Sequence, residues 1–225
     1  MNAFQKILAQ HKASRLRDER GNMLVLLATT LPLLFALLAF GVDATAVIAQ
    51  KMTQENALNA AREARMAPTI TLAAKNSNDP GALIARTLVA TLRKEGYDGT
   101  IEVWFYEVGQ IEGKLSKTKR VYAFELVVLD VCEPAFSRVF GVKEIPLASS
   151  LVTSSAPYAE FEVWRPTAAR SGVFRLEAGM TPSRLSFTST RLAHMPEGIR
   201  AEIALGIEDI TQQNTKGHNH HEKHP

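Results

Sequence analysis

Between Met23 and Val42 the chain carries twenty consecutive residues without a charge. At an α-helical rise of about 1.5 Å per residue such a run spans about 30 Å, the hydrocarbon thickness of a bilayer. A secretory leader has an apolar stretch of about 7–15 residues, which this run exceeds. Ala44-Thr45-Ala46 fits the small-x-small pattern of a leader cleavage site, but Asp43 stands inside that would-be site. A retained single-pass transmembrane helix is therefore expected. Pro32 near its middle removes one backbone donor, a kink that neighbouring helices or waters accommodate. Lys6, Lys12, Arg15, Arg17 and Arg20 precede the run, whereas only Lys51, Arg62 and Arg65 follow it within residues 50–66. The positive-inside rule puts the basic segment 1–21 in the cytoplasm and everything after Asp43 on the far side.

Asp43 falls where such a helix leaves hydrocarbon. It reads either as a solvated interfacial carboxylate or as a contact to a partner inside a helix bundle. Beyond it the helical pattern continues to Pro68, with high propensity and no glycine. Ala46, Ala49, Thr53, Ala57, Ala61 and Ala64 recur every three or four positions along one face. Small side chains let a second helix approach closely, although alanine is also simply the best helix former. A homo-oligomer through this Ala-rich helix is one expectation.

The net charge of +3 is too mild for a nucleic-acid binder, and no aromatic-studded basic patch accompanies it. The lone Cys132 excludes an internal disulfide and reads as a buried residue at a strand end. No phosphate-cradling glycine loop occurs. Ser116-Lys117-Thr118-Lys119 matches Ser-x-x-Lys but sits in a lysine-rich turn without partner motifs. His11 and His194 stand far apart in sequence, and no nucleophile-base constellation is legible. Neither an enzyme nor a cofactor is expected. The tail 211–225 holds His218, His220, His221 and His224 within seven residues. Neutral imidazoles are ligands for Zn, Ni or Cu, but with nothing to preorganise them these four are weak candidates and the tail reads first as disordered and solvated.

Several of these residues fall in a recognisable order. Arg20-Gly21 opens the apolar run, Leu31-Pro32 lies within it, and Gly41-Val42-Asp43 closes it. An Ala/Asn-rich stretch over residues 54–67 follows. Together they resemble the N-terminal segment of TadE/TadG-like proteins of the tight-adherence (Tad, or Flp) type IVb pilus machinery. The resemblance covers residues 20–67, about a fifth of the chain. It implies an inner-membrane protein with a periplasmic C-terminal part, serving pilus assembly and thereby cell adhesion. Its implied partners are pilin, pseudopilin or platform proteins. Members processed like prepilins are cut after a glycine, which would make Gly21-Asn22 the junction. Those members carry a glutamate at the fifth position after it, where this chain has Leu26. Asp43 and the longer far-side part look closer to short TadG-like members. The Asp-x-Ser-x-Ser run of their von Willebrand-type domains does not occur here, so metal-dependent adhesion is not carried over.

Residues 78–165 read as an α+β domain: a small antiparallel sheet with one packed helix. Asn78 or Asp79 as N-cap, Pro80 inside and Gly96 past the end punctuate a helix bearing an Ile84, Leu88, Leu92 stripe. Residues 100–108 alternate as a half-exposed strand. Residues 120–131 should pair antiparallel with it, and their richer apolar content suggests the more central position. Pro134 to Gly141 reads as a short helical turn, and the succession of strand, turn and small-residue strand also looks TadG-like. Residues 166–210 contain further strands that cannot be ordered from sequence, the last of which, near Ile199 to Ile207, could equally be a short helix. The resulting expectation is a structural pilus component acting by helix and domain contacts. Its rival is a membrane-tethered periplasmic sensor or ligand- and metal-binding module.

Overall fold

A computed structural model describes the backbone of residues 3–108, 121–154 and 171–208. It is an α+β protein with a long apolar N-terminal helix and a small antiparallel five-stranded sheet. The described residues divide into two compact units. One holds the first helix up to Ile48 together with Glu133–Ile145, and the other holds the remainder.

The first helix, α1, runs from Ala3 to Met66 without interruption. It includes one segment long and apolar enough to cross a membrane, beginning at Asn22. Its apolar side chains are exposed, among them Leu33, Leu34, Phe35, Leu37 and Phe40. The polar groups within the run are satisfied locally. Thr29 Oγ1 donates to Val25 O and Leu26 O, and Thr30 Oγ1 donates to Leu26 O at 2.8 Å. Pro68 restricts the residue before it, and Ala67 is extended with φ −61° and ψ 129°. There α1 ends and α2 (Pro68–Asn76) begins. Of the two candidate N-caps for α3 (Pro80–Lys94) it is Asp79 that serves, accepting from Ala82 N at 3.0 Å. Gly96 closes α3 at φ 82°, a left-handed conformation that costs glycine nothing.

The strands are β1 (Thr100–Val108), β2 (Val121–Cys132), β3 (Ile145–Ser154), β4 (Ser171–Leu176) and β5 (Ser186–Ser189), in the order β3-β2-β1-β4-β5. β1 pairs antiparallel with β2, with Phe105 opposite Phe124 and Val103 opposite Leu126. The centre belongs to β1 and not to the more apolar β2, because β4 takes the other edge of β1, setting Phe174 opposite Val103.

One face of the sheet forms the main core. Ile101, Val103 and Phe105 of β1 meet Phe124, Leu126 and Val128 of β2, with Ile84, Leu88 and Leu92 of α3 packed onto them. Each such side chain contributes about 1.5–3 kcal/mol when fully buried. The other face, which strand alternation alone assigns to solvent, is covered too. Residues 197–208 form a helix, α4, whose Ile199 and Ile203 pack with Met195 on Ala123, flanked by Trp104 and Tyr106. The stretch left open between strand and helix is thus helical. Its isoleucines recur every four residues and so line one side. Cys132 is a free, buried thiol at the end of β2.

Candidate functional site

The sequence marked Asp43 and the Pro134–Gly141 turn separately, and the structure joins them. Asp43 is 3% exposed, although Gly41 and Val42 just before it are exposed. Its Oδ1 accepts from Ala135 N at 2.8 Å and Phe136 N at 3.1 Å. Its Oδ2 accepts from Phe136 N at 3.2 Å, Ser137 N at 2.6 Å and Ser137 Oγ at 2.5 Å. Neither of the two sequence readings of Asp43 describes this arrangement. The carboxylate is an intrachain cap that gathers three successive backbone donors and one hydroxyl from 92–94 residues away. Such charge-assisted bonds are the strongest ordinary hydrogen bonds.

The turn closes itself beyond the cap. Ser137–Phe140 is one stretch of 3-10 helix, with Val139 N bonded to Phe136 O. Gly141 at φ 90° lets its own N–H reach Arg138 O and that of Val142 reach Ser137 O. With its backbone donors turned inward, the turn presents side chains outward. Val139 is 84% exposed and Phe140 72%, with Phe136 also exposed. These three and the α1 residues Pro32, Phe35 and Val42 line an open apolar groove of about 450 Å³. Arg138, the one cation within the turn, is paired with Glu133. Sequence reasoning saw a turn here and missed Phe136, Ser137, Val139 and Phe140. The signal available was three large apolar residues in a five-residue turn, too many for a solvated connection.

The alanine face divides. Ala57 and Ala61 are 1% and 0% exposed and lie in the main core with Leu58. They are filled by the chain's own domain, so as a docking face for another helix these two are corrected. Gln54 Oε1 on the same side accepts from Ser149 Oγ, and Lys51 Nζ donates to Ala148 O and Ser149 Oγ. Ala46 and Ala49 remain exposed and Ala64 is half-buried. Gly21 and Asn22 lie inside α1. His218, His220, His221 and His224 lie outside the described residues, and among those described no cluster of His, Cys, Asp or Glu is placed to hold a metal ion.

In the globular unit Arg93 is the main polar tie. Its guanidinium donates to the carbonyls of Tyr97, Gly99, Glu177 and Met180. Tyr97 Oη donates to Leu129 O at 2.7 Å. Burial, seconded by Asp130, holds its phenol above the ordinary tyrosine range. These contacts tie the end of α3 to the start of β1 and to the end of β4. Compared with known proteins, the chain matches no family model, no curated protein and no solved structure.

Proposed function

We propose that this chain is a structural component of a Tad/Flp-type (type IVb) pilus assembly system, anchored in the inner membrane by α1. In this reading residues 1–21 are cytoplasmic and the sheet domain is periplasmic, close to the arrangement of short TadG-like members. The protein works by binding rather than by catalysis. Its partners are pilin, pseudopilin or platform proteins, reached through exposed parts of α1 such as Ala46 and Ala49 and through the domain surface.

One observation carries the reading furthest. The resemblance rests on residues 20–67, in which Gly41-Val42-Asp43 closes the apolar run, with lesser support from the Pro134–Gly141 turn that follows β2. Asp43 bonds directly to that turn, so both stretches belong to one structural device, in keeping with a shared origin. The largely apolar, mostly exposed helix surface over Met23–Val42 further supports an anchor, since water-exposed apolar area of this extent is rare on soluble proteins.

The test is deletion of the gene, with complementation, in the native bacterium. Loss of surface pili with pilin still synthesised is the expected result. Normal piliation in the deletion strain would refute the proposal.

A further inference from the structure

We propose that the Pro134–Gly141 turn is a second membrane-inserting element, with Phe136, Val139 and Phe140 entering the leaflet through which α1 emerges. This inference rests on α1 spanning the bilayer. Its occupant is specific: phospholipid acyl chains fill the groove between the turn and the helix.

Three observations carry it. First, position: the α1 residues lining the groove run from Pro32 to Val42. The ten helical rises between them cover about 15 Å, half of a bilayer's hydrocarbon thickness. Whatever surrounds that half of α1 also surrounds the turn. Second, chemistry: Val139 at 84% and Phe140 at 72% exposure would meet water in any soluble setting. Third, the backbone. Irregular chain is tolerated in hydrocarbon only if its polar groups are satisfied internally. Here Asp43 takes the N–H groups of Ala135, Phe136 and Ser137, and turn carbonyls take those of Val139, Gly141 and Val142. A water-facing turn has no need of a buried carboxylate for this. The charges nearby fit an interface: Arg138 pairs with Glu133, and its long stem lets the guanidinium reach toward the headgroups. Anchored at two points, the protein would resist tilting about its single span.

The test uses the full chain in phosphatidylcholine/phosphatidylglycerol vesicles, in a Cys132→Ser background. An environment-sensitive NBD probe is attached at one of three single cysteines: Val139→Cys in the turn, Leu33→Cys in the span, and Ala178→Cys in an exposed turn of the sheet domain. Quenching by doxyl-labelled lipids is then read. The expected result is loss of fluorescence at Val139 comparable to that at Leu33, with Ala178 unaffected. Quenching at Leu33 alone overturns the inserted turn while leaving the span intact. A blue-shifted but unquenched Val139 probe also overturns it, and points to a protein occupant such as a second copy. No quenching at either site overturns the span itself.

Discussion

Replacing Asp43 tests the capped turn at its most vulnerable point. The carboxylate receives four donors, two oxygens sharing Phe136 N. Asp43→Asn keeps one carbonyl oxygen, sufficient for Ala135 N and Phe136 N, but turns an amide donor toward Ser137 N and Ser137 Oγ. Asp43→Ala removes every acceptor. A hydrogen bond to an ionised acceptor biases a local equilibrium by roughly tenfold or more. The turn's remaining closures, through Val139 N, Gly141 N and Val142 N, are local bonds that do not tie it to α1. Amide exchange at residues 135–137 should therefore accelerate by about 10- to 100-fold in Asp43→Asn. In Asp43→Ala it should rise further, by on the order of a thousandfold unless the unprotected rate intervenes first. Peptide-resolved hydrogen exchange on the solubilised full chain reads this directly, with β1 peptides as the internal control. Wild-type exchange at 135–137 in Asp43→Ala would refute the cap. Accelerated exchange in β1 as well would mean that Asp43 stabilises the whole chain rather than the turn.

Other substitutions probe the globular unit. Ala61→Leu inserts three carbons at a fully buried position and should cost about 1–3 kcal/mol, lowering Tm by several degrees, whereas Ala49→Leu at an exposed position should leave Tm unchanged. Equal Tm for the two would contradict the placement of the Ala57/Ala61 face in the core. Gly81→Ala would place a Cβ 2.7 Å from Phe105 Cδ1, and that ring is itself enclosed. A net loss of roughly 1–2 kcal/mol in denaturant unfolding is expected, despite alanine's better helix propensity. Tyr97 has a phenol pKa raised in the folded state, so its contribution is fully present below the unfolded value of about 10 and is lost as pH rises beyond it. Tyr97→Phe should flatten the alkaline limb of a Tm-versus-pH profile, and an unchanged limb would contradict this.

Local chemistry announced the elements whose causes are local. Asp79, Pro80 and Gly96 bound α3, Pro68 stops α1, and the alternation of Ile101, Val103 and Phe105 marks the buried face of β1. The exposed apolar run and the buried Cys132 were legible for the same reason. Non-local pairings were not. Nothing in β1 indicates that β4, some seventy residues later, takes its free edge, and that pairing is what moves β1 to the centre. Trp104 and Tyr106 looked solvent-facing because alternation identifies two faces without saying what covers the second, here α4. Ala57 and Ala61 lie in the main core, and spacing alone cannot distinguish a partner helix from the chain's own sheet. The Asp43 cap is the extreme case. A carboxylate after an apolar run has several uses, and only the fold shows that its donors come from beyond β2.

The proposed assembly role rests on α1 being a kept membrane anchor, and this can be tested on the native protein by fractionation with intact mass and N-terminal sequence. A chain beginning at Met1, recovered in the membrane fraction and resistant to alkaline extraction, is the expected result. A start at Asn22 would keep the span but make the protein a processed pseudopilin. A soluble protein starting at Val47 would contradict the anchor, and with it the membrane-anchored assembly role.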